Sequence, residues 1–269
     1  MDGNFLTHCT LRSDIEAVSA CTRHFFPRHT HDQFGIGVIE RGAHRSLSGR
    51  GVVEAVAGQA ITVNPGEVHD GHPIGGASRA WSMLYFSPEL ARELTVEIAE
   101  GNNRKYEFES PVIDDAEVAR LFLMLFRSLT APRKTLSEVL ADQTLLLLFA
   151  RIARPGEPIQ ERRAPVGVRI AQELIDDDPA SPRSLDDLAA ASGLSRFQVV
   201  RAFVRQTGLT PHAYIVQRRL QLARRLISSG LALADAAAAC GFSDQSHMTR
   251  LFRRTFGISP GAYSRSTVQ

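Results

Sequence analysis

Between positions 24 and 87 the apolar residues fall in short runs broken by glycine and proline. Residues 34–39 are apolar and end at Glu40-Arg41-Gly42, Gly49 and Gly51 mark a second turn, and Ile61 and Val63 flank Thr62 before Asn64-Pro65-Gly66. Trp81, Met83 and Tyr85 alternate with Ser82, Leu84 and Phe86, which predicts a strand buried on both faces. Short strands with this punctuation predict a sandwich or barrel. After Ser87, a cap with Pro88 behind it, the apolar period becomes helical. One helix is predicted at about 114–129, with Val118, Leu121, Phe122, Leu125, Phe126 and Leu129 on one face. Another is predicted at about 136–152, with a broad apolar stripe at 145–149. Such a pair must cover its apolar faces, against the strands, against a second copy, or both.

Residues 154–165 hold three prolines, one glycine and five charges, the composition of a linker. The chain after it is helical in pattern and repeats itself. Gly193-Leu194-Ser195, Phe203, Gly208-Leu209-Thr210-Pro211 and Tyr214 recur as Gly241-Phe242-Ser243, Phe252, Gly257-Ile258-Ser259-Pro260 and Tyr263. After one extra residue near the turn, the offset is a steady 49. In each copy a first helix, at 184–192 or 233–240, leads to a glycine suited to positive φ. An apolar plug (Leu194 or Phe242) and a capping serine (Ser195 or Ser243) follow, ahead of a second helix. Ser184 with Asp187 suggests a capping box on the first of these helices. This is the plan of a helix-turn-helix unit, whose second helix enters the major groove. The copies are joined by a helix from Thr210-Pro211 to about Ser228, stopped near Gly230. Its length, about 27 Å, allows two adjacent major-groove segments to be engaged.

Composition and charge support this reading. Apolar residues are 43% of 269, enough for two cores, and the net charge of +2 alone says little. Its distribution says more: residues 1–165 are net −3 and residues 166–269 net +5. Between 196 and 265 there are eleven arginines, no lysine and two acids, Asp235 and Asp244, the electrostatic footprint of a nucleic-acid-binding module. Three scattered cysteines (Cys9, Cys21, Cys240) form no metal spacing and fit a reducing compartment. No signal peptide or membrane span is read, so the expected location is a bacterial-type cytosol.

Residues 166–269 resemble the DNA-binding domain of the AraC/XylS transcriptional regulators. The resemblance is carried by the run from Gly241-Phe242-Ser243-Asp244-Gln245 to Arg250-Leu251-Phe252-Arg253-Arg254, then Gly257-Ile258-Ser259-Pro260 and Tyr263. The first half resembles the cupin-type sensor domain of the same family through His29-Thr30-His31, 35–42, Gly58, Pro65-Gly66-Glu67-Val68-His69 and 85–89. The resemblance implies an α+β two-domain protein. Residues 1–153 would be a cupin-like β-barrel or jelly roll with appended helices, binding an effector and dimerising; 154–165 would be the linker, and 166–269 an all-α domain with two helix-turn-helix units. It further implies a transcriptional regulator, more often an activator, with double-stranded DNA, a small organic effector, RNA polymerase and a second copy of itself as partners.

In the first copy Val199 and Phe203 are expected inward. That leaves Arg196, Phe197, Val200, Arg201 and Arg205 near the groove, Arg201 as base reader and Phe197 for a thymine methyl or for packing. In the second, Met248 and Phe252 turn inward, while Gln245, Ser246, His247 and Arg250 resemble the family's groove-facing positions. Gln245 suits adenine and Arg250 guanine, unless Arg250 pairs with Asp235. Arg253 and Arg254 are expected at phosphates. Arg218, Arg219, Arg224 and Arg225 are expected to be partly solvated and partly paired with Asp186 or Asp187.

In the barrel, Arg28, His29, His31 and His69 are the expected polar contacts for an effector, with Trp81, Met83 and Tyr85 as walls. The three histidines match metal positions of the cupin pattern. The glutamate expected shortly after His31 is replaced by Phe34-Gly35-Ile36, with His72 or Glu67 as possible substitutes. No metal, cofactor or catalysis is expected. The competing reading is a metal-binding cupin enzyme fused to a DNA-binding module.

Overall fold

The structure, a computed structural model, describes residues 4–10, 12–49, 51–98, 106–130, 135–155 and 166–267. It divides into two compact units, Met1–Pro158 and Ile159–Gln269. Of the linker expected at 154–165, residues 156–165 lie outside the described residues. No helix among the described residues is long and apolar enough to cross a membrane.

The first unit runs β1 (Asn4–His8), β2 (Ile15–Thr22), β3 (Phe26–His29), β4 (Phe34–Arg41), β5 (Ala43–Ser48), β6 (Gly51–Val56), β7 (Ala60–Val63), β8 (His69–Pro73) and β9 (Arg79–Phe86). It continues with α1 (Pro88–Ile98), β10 (Tyr106–Phe108), β11 (Val112–Ile113), α2 (Ala116–Thr130), α3 (Thr135–Ile152) and β12 (Ala153–Pro155). Two antiparallel sheets face each other, one ordered β1-β2-β9-β4-β7-β11 and the other β3-β8-β5-β6.

Strand β9 lies between β2 and β4 and is buried on both sides, as its alternation predicts. Trp81 and Met83 turn inward, onto Ala20, Phe26, Ile39 and Ala55. Leu84 and Phe86 turn outward, joining Ile36 and Val38 under the helices. Gly37 opposes Met83 across the β4–β9 pair, and a Cβ there would overlap Met83 Sδ and Ser82 O. The glycine makes room for the inward row.

The apolar faces of α2 and α3 lie on the outer face of the six-stranded sheet. Val118, Leu121, Phe122, Leu125, Leu129, Leu145, Leu148, Phe149 and Ile152 are all buried there. Each such side chain contributes roughly 1.5–3 kcal/mol of burial. The helices are therefore part of this unit's core. Among the described side chains, what remains outside is a shorter stripe on α3: Val139 (70% exposed), Leu140 and Leu147 (50%).

The second unit is helical: α4 (Val166–Asp177), α5 (Leu185–Ser192), α6 (Arg196–Thr207), α7 (Pro211–Ser228), α8 (Leu233–Ala239), α9 (Gln245–Phe256) and α10 (Pro260–Thr267). Ser184 caps α5 in a full capping box with Asp187, and Ser195 caps α6 in another with Gln198. Gly193 and Gly241 sit at φ 66° and 73°, the left-handed turn that lets the next helix leave at an angle. One expectation is corrected here. Asp244, not Ser243, caps α9, its carboxylate accepting from the His247 backbone N–H at 2.7 Å. The extra residue of the second copy falls before the cap, so the structural equivalent of Ser195 is Asp244.

Candidate functional site

The two second helices of the repeat, α6 and α9, show the same faces at the same offset. Val199 and Phe203 are buried in one, Met248 and Phe252 in the other. On the solvent side of α6 lie Arg196, Phe197, Arg201 and Arg205. On α9 the equivalent positions are Gln245, Ser246, Arg250 and Arg254, with Arg253 beside them, and all are exposed. Arg201 and Arg250 are thus structural equivalents, one helical turn past Phe197 and Ser246 respectively. Val200 and His247 are half-buried flanking positions. The His247 ring is oriented by Ser243 Oγ at 3.0 Å and by the edge of Phe242 at 5.7 Å. Phe197 is 72% exposed, so it faces solvent instead of packing. Val204, exposed between Arg201 and Arg205, belongs to the same face and was missed from the sequence. Its position close to one turn beyond Arg201 was the available signal.

Charge pairing on this face is weak at Arg196, whose Nε lies 3.5 Å from Asp186 of α5, an exposed pair of little energetic weight. Arg250 makes no ion pair with Asp235 among the described residues; its charge acts on Asp244. The Asp244 carboxyl is held below its usual range, mainly by the His247 backbone N–H, so it remains an anionic cap at the helix N-terminus.

The arginines of α7 have other duties, and the expected pairing with Asp186 or Asp187 is corrected. Arg218 Nε binds Asp176 at 2.8 Å, and Tyr214 donates its hydroxyl to the same carboxylate at 2.9 Å. Arg219 donates to the carbonyls of Pro179 (2.8 Å), Gly241 (2.6 Å), Ala180 (3.3 Å) and Ser181 (3.2 Å). It thereby ties the connection ahead of α5 to the turn of the second copy, fixing one helix-turn-helix relative to the other. Arg224 lies over the rings of Phe256 and Tyr263 at 5.0 and 5.4 Å. The partners are non-local because α7 is the central helix, crossed by both halves.

In the sheet unit, His29, His31 and His69 bring one ligand atom each within 4.8 Å of one another. His29 Nδ1 lies 2.7 Å from Pro27 O and His69 Nδ1 3.1 Å from Glu67 O. A carbonyl only accepts, so both Nδ1 atoms carry the proton and, in the neutral rings, both Nε2 atoms carry the lone pair. Burial holds the His69 imidazole below its ordinary range. Tyr85 lies 4.9 Å from the His31 ring. The residues considered as a fourth ligand are placed elsewhere. Glu67 accepts from the backbone of Gly49 and Asn64, and His72 lies 3.6 Å from Asp70 and beside Phe25. Arg28 is exposed: the register shift between Phe26 and His29 turns it out of the interior.

Sequence reasoning also missed two ionisable groups inside the sandwich, the fully buried Arg79 and the half-buried His44. Arg79 has no exposed surface. It stands two residues before Trp81 in the inward row, which was its signal.

The family described as AraC-like ligand binding domain matches residues 12–149, and the family described as Helix-turn-helix domain matches residues 188–266. The chain is 29% identical over 256 residues to the HTH-type transcriptional activator RhaS of Escherichia coli (strain K12 / DH10B), covering 87% of this chain and 86% of that protein. It is 27% identical over 234 residues to the HTH-type transcriptional regulator YbfI of Bacillus subtilis (strain 168), covering 83% and 81%. The crystal structure of an apo point variant of ToxT from Vibrio cholerae strain SCE256 has the same fold, with a TM-score of 0.60 at 11% identity, over 96% of this chain and 99% of that one.

Proposed function

This chain belongs to the AraC family of transcriptional regulators, and from that premise we propose which of its residues read DNA, which receive the effector and how copies associate. It is a DNA-binding regulator whose N-terminal domain binds a small-molecule effector that modulates DNA binding. The observation that carries the residue assignment is the matched exposure of α6 and α9, arginine recurring at the same helical position in both. Arg201 and Arg250 read guanine through bidentate bonds, and Gln245, Ser246, Phe197 and Val200 contribute edge and methyl contacts. Arg196, Arg205, Arg253 and Arg254 hold phosphates, and His247 steadies the start of α9. The regulator acts in the cytoplasm, as an activator that touches RNA polymerase, and has no enzymatic role.

Base preference tests these roles. Arg250→Ala is expected to relax discrimination at one position of the selected site, costing about 1–3 kcal/mol there, while Arg254→Ala weakens all sequences alike. Selection of binding sites from random DNA by the wild type and both variants measures this. If Arg250→Ala lowers affinity evenly and keeps the base preference, the roles are reversed.

The exposed stripe of α3, with Val139, Leu140 and Leu147, is the surface through which two copies associate. The rest of the apolar face already lies on the sheet, so deleting the helices would destroy the unit. Leu147→Asp tests the surface alone, because it places a charge in an apolar contact without touching the core. Sedimentation is expected to show wild-type dimers and mostly monomeric Leu147→Asp. Dimers unaffected by this change place the interface elsewhere.

His29, His31 and His69, with Tyr85, Trp81 and Met83, form the polar and apolar walls that meet the effector. A second reading is favoured by one observation, the convergence of three imidazoles. The Nε2 lone pairs of His29 and His69, with one ring nitrogen of His31, suit a borderline cation such as Zn²⁺. Metal analysis of the purified protein separates the two.

A further inference from the structure

Arg79 is the largest side chain with no exposed surface among the described residues. It stands at the start of β9, with Trp81 and Met83 following it along the inward face. Its guanidinium lies 4.7 Å from the Trp81 ring and 5.7 Å from the Phe26 ring. Nη1 donates to His24 O at 3.2 Å. Nε and Nη2 have no hydrogen-bond partner among the described residues, and no carboxylate there lies within ion-pair distance. Burial alone lowers its pKa, to about 10, which still leaves it charged at neutral pH. An unpaired buried charge is costly, and natural cores normally pair or remove one.

The surroundings do not supply a second charge. His44 of β5 is a neighbouring ionisable group, and burial followed by the Arg79 charge pushes its pKa down to about 3, so it is neutral. Its Nδ1 is buried without a hydrogen-bond partner among the described residues. Opposite stands Gly71 of β8. Both Nε and Nη2 of Arg79 are enclosed. A Cβ at Gly71 would lie 2.9 Å from His44 Cε1 and 3.4 Å from Arg79 Nη2, so the missing side chain is what admits these two groups side by side. Beside the guanidinium lie the rings of Phe26 and Trp81, 5.9 Å apart, with Phe5 edge-on to Trp81 at 5.9 Å, and the neutral imidazole of His29 lies beyond Phe26 at 6.3 Å.

We propose that the effector is a small organic monocarboxylate, whose carboxylate is received by Nε and Nη2 of Arg79 and whose apolar body lies along Trp81 and Phe26. One buried positive charge balances one negative charge. A dianion such as a phosphate ester would need further cations or donors, and the walls offer rings instead. The Nε–Nη2 edge of a guanidinium matches the two oxygens of a carboxylate, and neutral His44 supplies one further polar contact. This inference rests on the reading of the sheet unit as the effector domain and names the chemistry it takes.

The test uses the full chain with benzoate, 3-phenylpropionate and hexanoate, each against its neutral amide. Calorimetric titration and thermal melting measure binding, and operator affinity is recorded in parallel. At least one acid is expected to bind and raise the Tm, with its amide weaker by roughly tenfold or more. Arg79→Gln is expected to erase this preference and Arg79→Lys to retain part of it, losing the two-point contact. Gly71→Ala, which keeps the charge, is expected to weaken the acid by crowding Nη2. The contrast of acid and amide on the wild type needs no variant, so the proposal stays open to refutation even if Arg79→Gln misfolds. Acids and amides binding alike, none of the six binding, or Arg79→Gln preserving the preference would each overturn it. A neutral metabolite that shifts operator affinity equally in wild type and Arg79→Lys also overturns it, and leaves the regulatory reading standing. Acid bound through Arg79 with operator affinity unchanged supports the site and removes the regulatory reading.

Discussion

Phe252→Ala is expected to cost about 3–5 kcal/mol in the helical unit and to abolish operator binding. Phe252 has no exposed surface and sits 4.7 Å from the Phe256 ring and 5.8 Å from that of Tyr263. Around it the cluster contains Leu220, Ile227, Cys240, Phe242 and Met248, drawn from α7, the turn after α8, and α9. Removing the ring leaves a cavity where three elements meet, and this contact seats α9 so that its polar face stays outward. The equilibrium can be followed unit by unit. The single tryptophan, Trp81, reports on the sheet unit, because the helical unit contains none. In urea the helical circular-dichroism transition should move to lower denaturant while Trp81 fluorescence keeps its midpoint. A loss below about 1 kcal/mol, or a Trp81 midpoint that moves equally, would contradict this account of the core.

The second large effect is that of salt. Raising ionic strength from about 50 to 200 mM should weaken operator binding about a thousandfold, the behaviour of a protein with roughly six phosphate contacts. Eleven arginines lie between 196 and 265. Three are committed elsewhere: Arg218 to Asp176, Arg219 to backbone carbonyls, and Arg224 to two aromatic rings. At most eight therefore reach DNA, and Arg196 already has Asp186 beside it. The fragment 166–269 carries all of them along with its own core, so it should bind with nearly the same salt slope as the full chain. Titration of a fluorescent operator across salt concentrations gives the slope directly. A fragment that folds yet fails to bind at low salt, or a slope near zero, would mean that this face does not meet phosphate.

The helix-turn-helix repeat is legible in the sequence because its signals are local. A capping side chain reaches a backbone N–H three residues away, and a glycine at positive φ is needed at its own position. The inward pair Phe203 and Val199 follows from helical period alone. Locality also explains the misplaced cap. The serine that follows the turn glycine reads equally well in both copies, and only the backbone path assigns the second cap to Asp244. Strand β9 is similarly readable, since burial on both faces leaves a mark on nearly every residue.

What the sequence determined by itself is thus the family, the two units, the direction of the helix faces and the row Trp81, Met83 and Tyr85. What only the tertiary structure decided is which distant groups meet: Arg219 with the Gly241 turn, Asp176 with Arg218 and Tyr214, Arg79 with His24, His44 and Gly71. It also decided that Arg28 leaves the interior and that most of the apolar face of α2 and α3 is spent on the sheet. The physical reason is range. Capping, turns and periodicity act within a few residues and are written beside the positions they govern. Charge pairing and burial depend on strand register and helix packing between segments dozens of residues apart, and no local pattern records them.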